Sequence, residues 1–549
     1  LRGNGSATTL QPQQGDDFIT IASDDVELSH LHLESPDGNA WALVSGNNDG
    51  LRLESLNISG KYLIRLDRSD GGLLANLSLV VTQSSGRALE LDSSDGNIIR
   101  DSVFTEPASG SGYGIMLEDS DDNLLRNCTV SSFGYYGIYL YNSARDNTIL
   151  DSSADSNDDA GLMLEVAYNT VVRNSSFSGS PNGSGLIVTS ATGVALDNLT
   201  VADNGDETSD YGLSVSFSSQ MTLKFSSFSN NSGIGTKIYN SNNIVIYSNR
   251  MVDHQSHTLQ LWTVNDALVA RNILESGSGD VVSAVSLYYT TDTWIENNSV
   301  TQQGDGPEDS GIGLSYSYGN TIYNNSIGDS DATGIRLRDD SNSNFVIDNH
   351  LLRLGGYGIQ VSDGLYNLVS GNILEEIEQY ALYVATEGDW NTFSGNAISD
   401  NEAEGIGVFG ADNIFSGNSL SGGLAAAVID DGQRNSFTGN SVDAAGQTAI
   451  IVYASGGTYS NNSITNGLEG FWISGSDNHF VNETVVVSST ALKFVNGDNN
   501  IFRESSLSGD VTLESGSTGN RLNATSLQGS ISCDSSSQLF IADNIVVEA

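Results

Sequence analysis

The chain has 549 residues, and its 68 acidic and 21 basic side chains give it a net charge of −47. A field of that sign repels nucleic acid and anionic membrane surfaces, so we expect neither as a partner. Gly contributes 60 residues and Pro only 5, while apolar residues recur periodically throughout. This combination predicts a turn-rich all-β protein rather than a disordered chain.

Residues 1–17 carry no repeat and are predicted to form a polar N-terminal arm. The sequence begins at Leu1 rather than at Met, which favours an exported protein whose signal peptide has been removed. No run of 18 apolar residues occurs, so we expect no transmembrane segment. Together these features predict an extracellular or cell-surface location.

From residue 18 onward, short apolar segments recur at nearly regular intervals. In the clearest of them, residues 320–327, an Asn at a turn precedes an apolar residue, a second Asn and another apolar residue. The second Asn returns every 22 to 24 residues, at Asn325, Asn349, Asn372, Asn396, Asn418 and Asn440. A fixed period near 23 predicts a solenoid.

Each period also contains a Gly-apolar-x-apolar segment, as at Gly334, Gly358 and Gly405. Short alternating runs separated by Gly, Asn, Asp and Ser predict strands with one buried face, joined by tight turns. We therefore predict a single parallel β-helix of about 23 coils over residues 18–549, right-handed by the crossover rule. The second Asn of each coil should point inward and form a hydrogen-bonded ladder.

The phrase Asn-x-Ile-x-x-Asn-x-Ile followed by Gly-Ile-x-Leu resembles the repeat of right-handed parallel β-helix proteins of the pectin-lyase-like type. Within that group it is similar to the NosD-like, carbohydrate-binding-and-hydrolase proteins, and the resemblance covers nearly the whole chain from about residue 18. The acidic, Lys-poor composition also resembles that of archaeal exported cell-envelope proteins. The fold serves lyases, hydrolases, epimerases, tailspikes, adhesins and surface-layer proteins, so the resemblance leaves the function open.

The resemblance brings no catalytic residue with it. Polygalacturonases of this fold combine paired Asp residues with a Gly-His-Gly, and no Gly-His-Gly occurs here. Copper delivery of the NosD type is not expected either, because the chain has only 4 Met and no Cys/His/Met cluster. The interpretation leans towards a non-catalytic protein; an enzyme of this type would be a polysaccharide lyase or a glycoside hydrolase.

Acidic residues recur just after the Gly-Ile segment. A row of carboxylates at one corner of the solenoid could hold Ca²⁺, which takes oxygen ligands, and Ca²⁺ is the one cofactor that the sequence suggests. The alternative is a set of solvated turn residues in a very acidic chain. The candidate ligands are Asp119, Asp122, Asp339, Asp340, Asp430 and Asp431.

The outward position on the Gly-Ile strand should form a continuous stripe, because coils stack in register. Its aromatic, amide and basic side chains suit a glycan, and they suit a protein partner or an ordinary exposed strand equally well. The residues proposed for the stripe are Tyr139, Lys237, Gln260, Arg336, Gln360, Tyr383 and Trp472. Near one end, Tyr135, Tyr136 and Tyr141 are expected to widen it around Tyr139.

Asn-x-Ser/Thr sequons are abundant, and they become N-glycosylation sites only in an exported protein. The candidates are Asn57, Asn76, Asn127, Asn174, Asn182, Asn198, Asn230, Asn297, Asn324, Asn461, Asn482 and Asn523, with a further sequon at Asn4. The two cysteines, Cys128 and Cys533, lie too many coils apart to form a disulfide, and both are expected to point inward.

Two functions follow from these observations. The first is a non-catalytic structural subunit of a surface filament, sheath or surface layer, or an adhesin, which self-associates by head-to-tail stacking of uncapped β-helix ends. The second is a protein of the pectin-lyase-like type that binds or cleaves polysaccharide through the outward stripe.

Overall fold

A computed structural model describes residues 9–10, 17–35, 38–107, 110–276, 283–301, 309–423, 425–444, 446–542 and 547–548. Within these ranges every helix or strand element is a β-strand, and the strands pair in parallel to form a solenoid of about 22 turns. This confirms the predicted fold and agrees with the expected number of coils. The chain divides into two compact units, Leu1–Asp280 (unit 1) and Val281–Ala549 (unit 2).

Each coil contributes up to three strands, which pair with the equivalent strands of the next coil. We name the resulting stacks A, B and C; the Gly-Ile segment begins stack A, and the Asn phrase spans stack B and the turn to stack C. In unit 1, stack A contains Ile19–Ile21, Trp41–Gly46, Tyr62–Asp67, Arg87–Asp92, Tyr113–Glu118, Tyr136–Tyr141, Ala160–Glu165, Ser184–Thr189 and Leu213–Ser216. Stack B contains Glu27–Ser29, Arg52–Glu54, Leu73–Ala75, Ile98–Arg100, Leu124–Arg126, Thr148–Leu150, Val171–Arg173, Ala195–Asp197 and Ser219–Lys224. The long strands Thr236–Tyr247 and Leu259–Ala270 run through both stacks.

Stack C of unit 1 contains Thr9–Leu10, His32–Glu34, Asn57–Gly60, Ser78–Val81, Val103–Thr105, Thr129–Ser131, Ser153–Asp155, Thr200–Ala202, Ser227–Ser229, Arg250–His254 and Ile273–Ser276. Its first strand belongs to the stretch predicted as a polar arm, since Thr9 and Leu10 pair with His32 and Leu33. Residues 1–8 and 11–16 of that arm, with the sequon at Asn4, lie outside the described residues.

Unit 2 repeats this arrangement. Stack A contains Ser283–Tyr288, Ser310–Ser315, Thr333–Arg338, Ile359–Val361, Leu382–Val384, Ile406–Val408, Val428–Asp430, Thr448–Val452 and Ile531–Cys533. Stack B contains Trp294–Glu296, Thr321–Tyr323, Phe345–Ile347, Leu368–Ser370, Thr392–Ser394, Ile414–Ser416, Ser436–Thr438, Thr458–Ser460, His479–Val481, Ile501–Arg503, Asn520–Asn523 and Leu539–Ala542. Stack C contains Ser299–Thr301, Ser326–Ser330, His350–Leu354, Ile373–Ile377, Ala397–Ser399, Ser419–Ser421, Ser441–Asp443, Ser526–Gln528 and Val547–Glu548. Ser463–Ile473, Thr484–Val495 and Ser506–Glu514 run through stacks C and A.

The core of each unit lies inside its coils. Alternate residues of every strand point inward, so equivalent apolar residues pack on one another from coil to coil. In unit 2 this produces a column of parallel rings on stack B, with centroids 4.1 to 5.3 Å apart. The column consists of Phe393, Phe415, Phe437, Tyr459, Phe480 and Phe502.

The predicted Asn ladder is present at the turn between stacks B and C of unit 2. Asn325 donates from its backbone N–H and its Nδ2 to the Oδ1 of Asn349, at 2.9 and 3.0 Å. The same donation to the Oδ1 of the next Asn continues through Asn372, Asn396, Asn418, Asn440 and Asn462, and all of these side chains are buried. Each amide therefore satisfies backbone groups that the buried turn would otherwise leave without partners.

The first Asn of the phrase, expected only to make a turn, forms a second ladder between stacks A and B. Asn320 N–H donates to Asn344 Oδ1 at 3.0 Å. The pattern then passes through Asn367, Asn391, Asn413 and Asn435, and it appears again at Asn478, Asn500 and Asn520. Both Asn positions of the phrase are thus committed to hydrogen bonds between coils.

Unit 1 fills its B–C ladder positions with Leu, Ser, Cys and, in its last two coils, Asn. Ser102, Ser152 and Ser175 donate their hydroxyls to nearby carbonyls and accept from a backbone N–H of the preceding coil. Cys128 occupies the same position, is buried as predicted, and contacts the Arg126 carbonyl through its Sγ at 3.5 Å. The matching prediction for Cys533 is wrong: this residue is exposed, because its strand Ile531–Cys533 pairs only with Val511–Leu513 in the described part of the chain.

Glu483 takes the place of an Asn in the B–C ladder. Its Oε1 accepts from Asn462 Nδ2 at 3.1 Å, whereas its buried Oε2 has no partner. At the preceding positions an amide NH₂ fills this place and donates to a carbonyl, as Asn462 Nδ2 does to Phe437 O at 3.0 Å. Burial accordingly raises the pKa of Glu483 to about 8, and the neighbouring Ser505 and Tyr459 carry no opposite charge.

We predict that Glu483→Gln reduces the pH dependence of stability. Because the folded-state pKa is raised, the wild type has its full stability below the unfolded-state pKa, near 4.5, and loses part of it as the pH rises through about 8. Asp430, whose pKa burial raises to about 7, contributes in the same direction and is present in both proteins. Urea denaturation from pH 4 to 9 should show a midpoint difference between variant and wild type that grows with pH; a constant difference would contradict the argument.

Removal of one ladder amide should destabilise unit 2. Asn396→Ala leaves the Asn372 N–H without its acceptor, removes the amide bond to the Val369 carbonyl, and should cost about 2–4 kcal/mol. The control is Asn324→Gly at an exposed corner with φ of 50°, where the equivalent residue three coils later is Gly395. A urea midpoint for Asn396→Ala as high as that of the control would mean that the ladder contributes little.

Candidate functional site

The predicted stripe is a physical row in each unit. In unit 1, strand pairing aligns Met116 with Tyr139, and three coils later it aligns Ser214 with Lys237 and Lys237 with Gln260. In unit 2 it aligns Arg336, Gln360 and Tyr383, with Gln360 only 8% exposed. Trp472 lies further along the same row, between Ile451 and Lys493. The register is as predicted, and the use of the row as a binding site stays a prediction.

Tyrosines dominate this face of unit 1. Tyr113, Tyr135, Tyr136, Tyr139 and Tyr141, which we call the unit 1 platform, form a continuous group of rings. Tyr113 stacks on Tyr135 at 5.1 Å, and Tyr139 stacks on Tyr141 at 4.3 Å with an interplanar angle of 11°. Such a surface offers flat apolar faces with polar edges, which is the combination that aromatic binding surfaces use.

Two carboxylates fix the hydroxyl groups at one side of the platform. Tyr141 donates to Glu118 Oε2 at 2.6 Å, Asn142 Nδ2 donates to Glu118 Oε1 at 2.8 Å, and Tyr139 donates to Glu165. Burial, followed by the hydrogen bond to the carboxylate, raises the pKa of both Tyr139 and Tyr141. These phenols therefore stay protonated at neutral pH and hold their rings in place.

An ion-pair network lies two coils before Tyr139 in the same row. Glu90 is 3% exposed and contacts both Arg87 and Arg65, with Arg65 Nε 3.5 Å from Glu90 Oε1. Arg65 also donates to Asp92 at 2.9 Å. Each guanidinium thus has a carboxylate partner, and the network adjoins the platform without presenting an unpaired buried charge.

Unit 2 has a smaller aromatic group on its own stack A side. Tyr357 stacks on Tyr383 at 4.6 Å, and Phe409 lies 5.6 Å from Tyr383. The Tyr380 ring covers Gly407, where an added Cβ would lie 2.5 Å from a ring carbon. We call these four aromatic residues the unit 2 platform; burial, with nearby Glu404 second, raises the pKa of Tyr380 to about 12.

The candidate calcium ligands do not act as one site. Asp119, Asp122, Asp340 and Asp431 are exposed, and Asp339 pairs with Arg338 at 3.3 Å. Asp430 was expected at the solvent-facing corner, but this placement is wrong. It is fully buried and accepts hydrogen bonds from Tyr459 and from Asn435 Nδ2, because its side chain points into the turn occupied by the A–B ladder. Among the described residues, no group of three or more His, Cys, Asp or Glu could hold a metal ion.

Most sequon asparagines lie at one corner, between stacks B and C. All twelve candidates are exposed except Asn523, which is half-buried. The corner residue before the ladder position adopts a positive φ, as at Asn297, Asn324, Asn461 and Asn482, and coils without Asn often place Gly or Asp there. This conformation favours Gly, Asn and Asp. The sequons are therefore accessible, and their modification stays a prediction.

Sequence reasoning missed several platform residues. Of these, Tyr113 and Tyr357 directly precede the Gly-Ile segment, and Tyr380 precedes the related Ala-Leu. An alignment of the coils on their Gly-Ile glycine would have revealed this column, since strand pairing places Trp41, Tyr62, Arg87 and Tyr113 at equivalent positions. The predicted stripe followed the column three residues further along each strand and included Tyr135, Tyr136 and Tyr141 only around Tyr139.

Comparisons with solved structures identify other β-helical proteins. The A-module of mannuronan C-5 epimerase AlgE6 from Azotobacter vinelandii is 16% identical, with a TM-score of 0.40 over 58% of this chain and 89% of that one. The Dettilon tailspike protein is 11% identical, with a TM-score of 0.36 over 56% and 62%. PfbA, a surface adhesin of Streptococcus pneumoniae, is 12% identical, with a TM-score of 0.32 over 61% and 85%. No curated protein matches the chain.

Two family models match the sequence. The model described as "Periplasmic copper-binding protein (NosD)" matches residues 370–520. That segment contains one histidine, His479, with no Cys and no Met, so its donor set does not fit copper. The model described as "Right handed beta helix region" matches residues 42–204, 180–307 and 280–421, which together exceed half of the chain. With the parallel stacks seen in both units, this match shows that the chain belongs to the right-handed β-helix family.

Proposed function

We propose that this protein binds polysaccharide through the unit 1 platform. The observation that carries the proposal is the group of five contacting tyrosine rings on one outward face, with Tyr135 40% exposed and its neighbours half-buried. Glu165 and Glu118 hold the rings of Tyr139 and Tyr141, so these two side chains lose little freedom when a ligand binds. A sugar ring can pack on such faces while its hydroxyls bond to the surrounding carboxylates.

The unit 2 platform has the same chemistry on a smaller scale and is proposed as a second contact for polysaccharide. Tyr357, Tyr380 and Tyr383 present half-buried rings beside Gln360 and Arg336 in the register of stack A. The two sites can be tested separately, because each platform lies within one unit.

An exported location fits this role and is part of the proposal. The NosD model carries the word periplasmic in its description, and the described residues contain no helix that could span a bilayer. Exposed sequons at the B–C corner would then be available for N-linked glycans.

We predict that Tyr113→Ala and Tyr136→Ala each weaken binding about threefold to tenfold, the value of one lost aromatic contact. Affinity electrophoresis in gels that contain dextran, mannan, soluble β-glucan, alginate or pectate would measure this. Tyr318→Ala, at an exposed tyrosine outside both platforms, should migrate like the wild type. A wild-type protein that none of these polysaccharides retards would refute the proposed function.

Self-association remains a second proposal, now with a structural observation in its favour. The strand Leu539–Ala542 pairs with Asn520–Asn523 and leaves Phe540 and Ile541 53% and 52% exposed. No other described strand pairs with it, and exposed apolar residues on such a strand are a typical site of strand addition. The proposed occupant is a second copy of this chain, stacked head to tail in a surface assembly.

If a second copy covers this strand, Phe540→Asp with Ile541→Asp should reduce assembly. Light scattering after size exclusion, together with electron microscopy, should show oligomers or filaments for the wild type and mainly monomers for the variant. Val103→Asp with Ile98→Asp, at exposed positions in unit 1, is the matched control and should assemble normally. A wild type that stays monomeric at high concentration would contradict this second proposal.

A further inference from the structure

A buried carboxylate joins the two segments that carry the first tyrosines of the unit 1 platform. Glu106 follows the stack C strand Val103–Thr105 and is 1% exposed. Its Oε2 accepts from the backbone N–H of Gly112 at 3.0 Å and from that of Gly134 at 3.1 Å. These two glycines belong to successive coils, so a single side chain ties one coil to the next at this corner.

Each of the two glycines lies directly beside a platform tyrosine. Gly112 precedes Tyr113, and Gly134 precedes Tyr135. The Tyr135 N–H also donates to the Gly112 carbonyl at 3.1 Å, and the rings of Tyr113 and Tyr135 stack at 5.1 Å with an interplanar angle of 23°. The geometry of the ring pair therefore depends on the separation of the two backbone segments that Glu106 connects.

The glycines around Glu106 are needed for this close approach. An added Cβ at Gly110 would lie 1.9 Å from Glu106 Oε1, and one at Gly112 would lie 2.8 Å from the same oxygen. At Gly134 an added Cβ would lie 1.5 Å from the Gly110 carbonyl oxygen. A larger side chain at Gly134 would therefore require movement of the backbone, and one at Gly110 would displace the Glu106 carboxylate.

We propose that Glu106 is a positioning residue that holds Tyr113 and Tyr135 in the stacked arrangement to which polysaccharide binds. The inference rests on the proposed function for the identity of the ligand, but the positioning itself is a property of the protein alone. Glu106 does not contact the ligand. It accepts two hydrogen bonds from backbone N–H groups of successive coils.

The test compares Glu106→Ala with Glu106→Gln. The Gln side chain has the same length, and its amide oxygen can accept from both Gly112 and Gly134, so Gln should preserve the connection. Ala removes it and leaves two buried N–H groups without a partner. Loss of a buried hydrogen bond of this kind should weaken retention in the polysaccharide gels about tenfold for Ala and leave Gln close to wild type.

Hydrogen–deuterium exchange of the full-length protein tests the positioning without any ligand. The peptides that contain Gly112 and Gly134 should exchange faster in Glu106→Ala and at the wild-type rate in Glu106→Gln. Glu207→Ala, which removes an exposed glutamate in another loop of unit 1, is the control and should change neither exchange nor retention. Unchanged exchange in Glu106→Ala, or equal damage from Gln and Ala, would overturn the inference.

If Glu106→Ala fails to fold, Gly134→Ala provides a second way to separate the two segments. It leaves the carboxylate in place and should weaken retention while unit 2 keeps its own exchange pattern. Wild-type retention in Gly134→Ala would overturn the inference. A wild type that binds no polysaccharide would refute the proposed function alone, because the exchange experiment still decides whether Glu106 orders the tyrosine pair.

Discussion

The buried turn is the constraint on which this structure depends. A coil of about 23 residues must reverse direction several times around an apolar interior, and each turn brings backbone N–H and C=O groups out of reach of water. In unit 2 the ladder side chains satisfy many of these groups, since each accepts from the coil before it and donates to a carbonyl of that coil. Asn349, for example, accepts from both the N–H and the Nδ2 of Asn325 and donates to the Ile322 carbonyl.

Substitutions within the ladders show what the position requires. Ser and Cys still accept from the neighbouring N–H and donate to a nearby carbonyl, so Ser152 and Cys128 are accommodated in unit 1. Glu483 can accept a hydrogen bond, but it can donate one only when its carboxyl is protonated. Burial of this carboxyl raises its pKa and so favours the protonated form. The buried carboxyl of Asp430 receives its hydrogen bonds from side chains instead, because Tyr459 and Asn435 donate to it from inside the coil.

The sequence was sufficient for the fold because the period of the inward residues is set by backbone hydrogen bonds. It was sufficient to predict the row of stripe residues as well, because the register between coils determines which outward residues become neighbours. It failed at Asp430 and Cys533 for a common reason. The period assigns a residue to a strand or a turn, but burial also depends on local turn geometry and on whether the next coil covers the position, and neither is visible in one repeat.

The same constraint explains why Tyr113, and its pairing with Tyr135, were harder to predict than the ladder. Tyr113 and Tyr135 are placed by Glu106, Gly112 and Gly134, which lie outside the repeated phrase in a loop between stacks C and A. It also explains the number of sequons. The triplet Asn-x-Ser/Thr arises where a corner Asn with positive φ is followed by a ladder residue and then by a Ser or Thr that starts the next strand. Asn324-Asn325-Ser326 is an example. The coil geometry alone generates such triplets, so their abundance is evidence for the fold, and the evidence for binding lies in the tyrosines that the coil does not need.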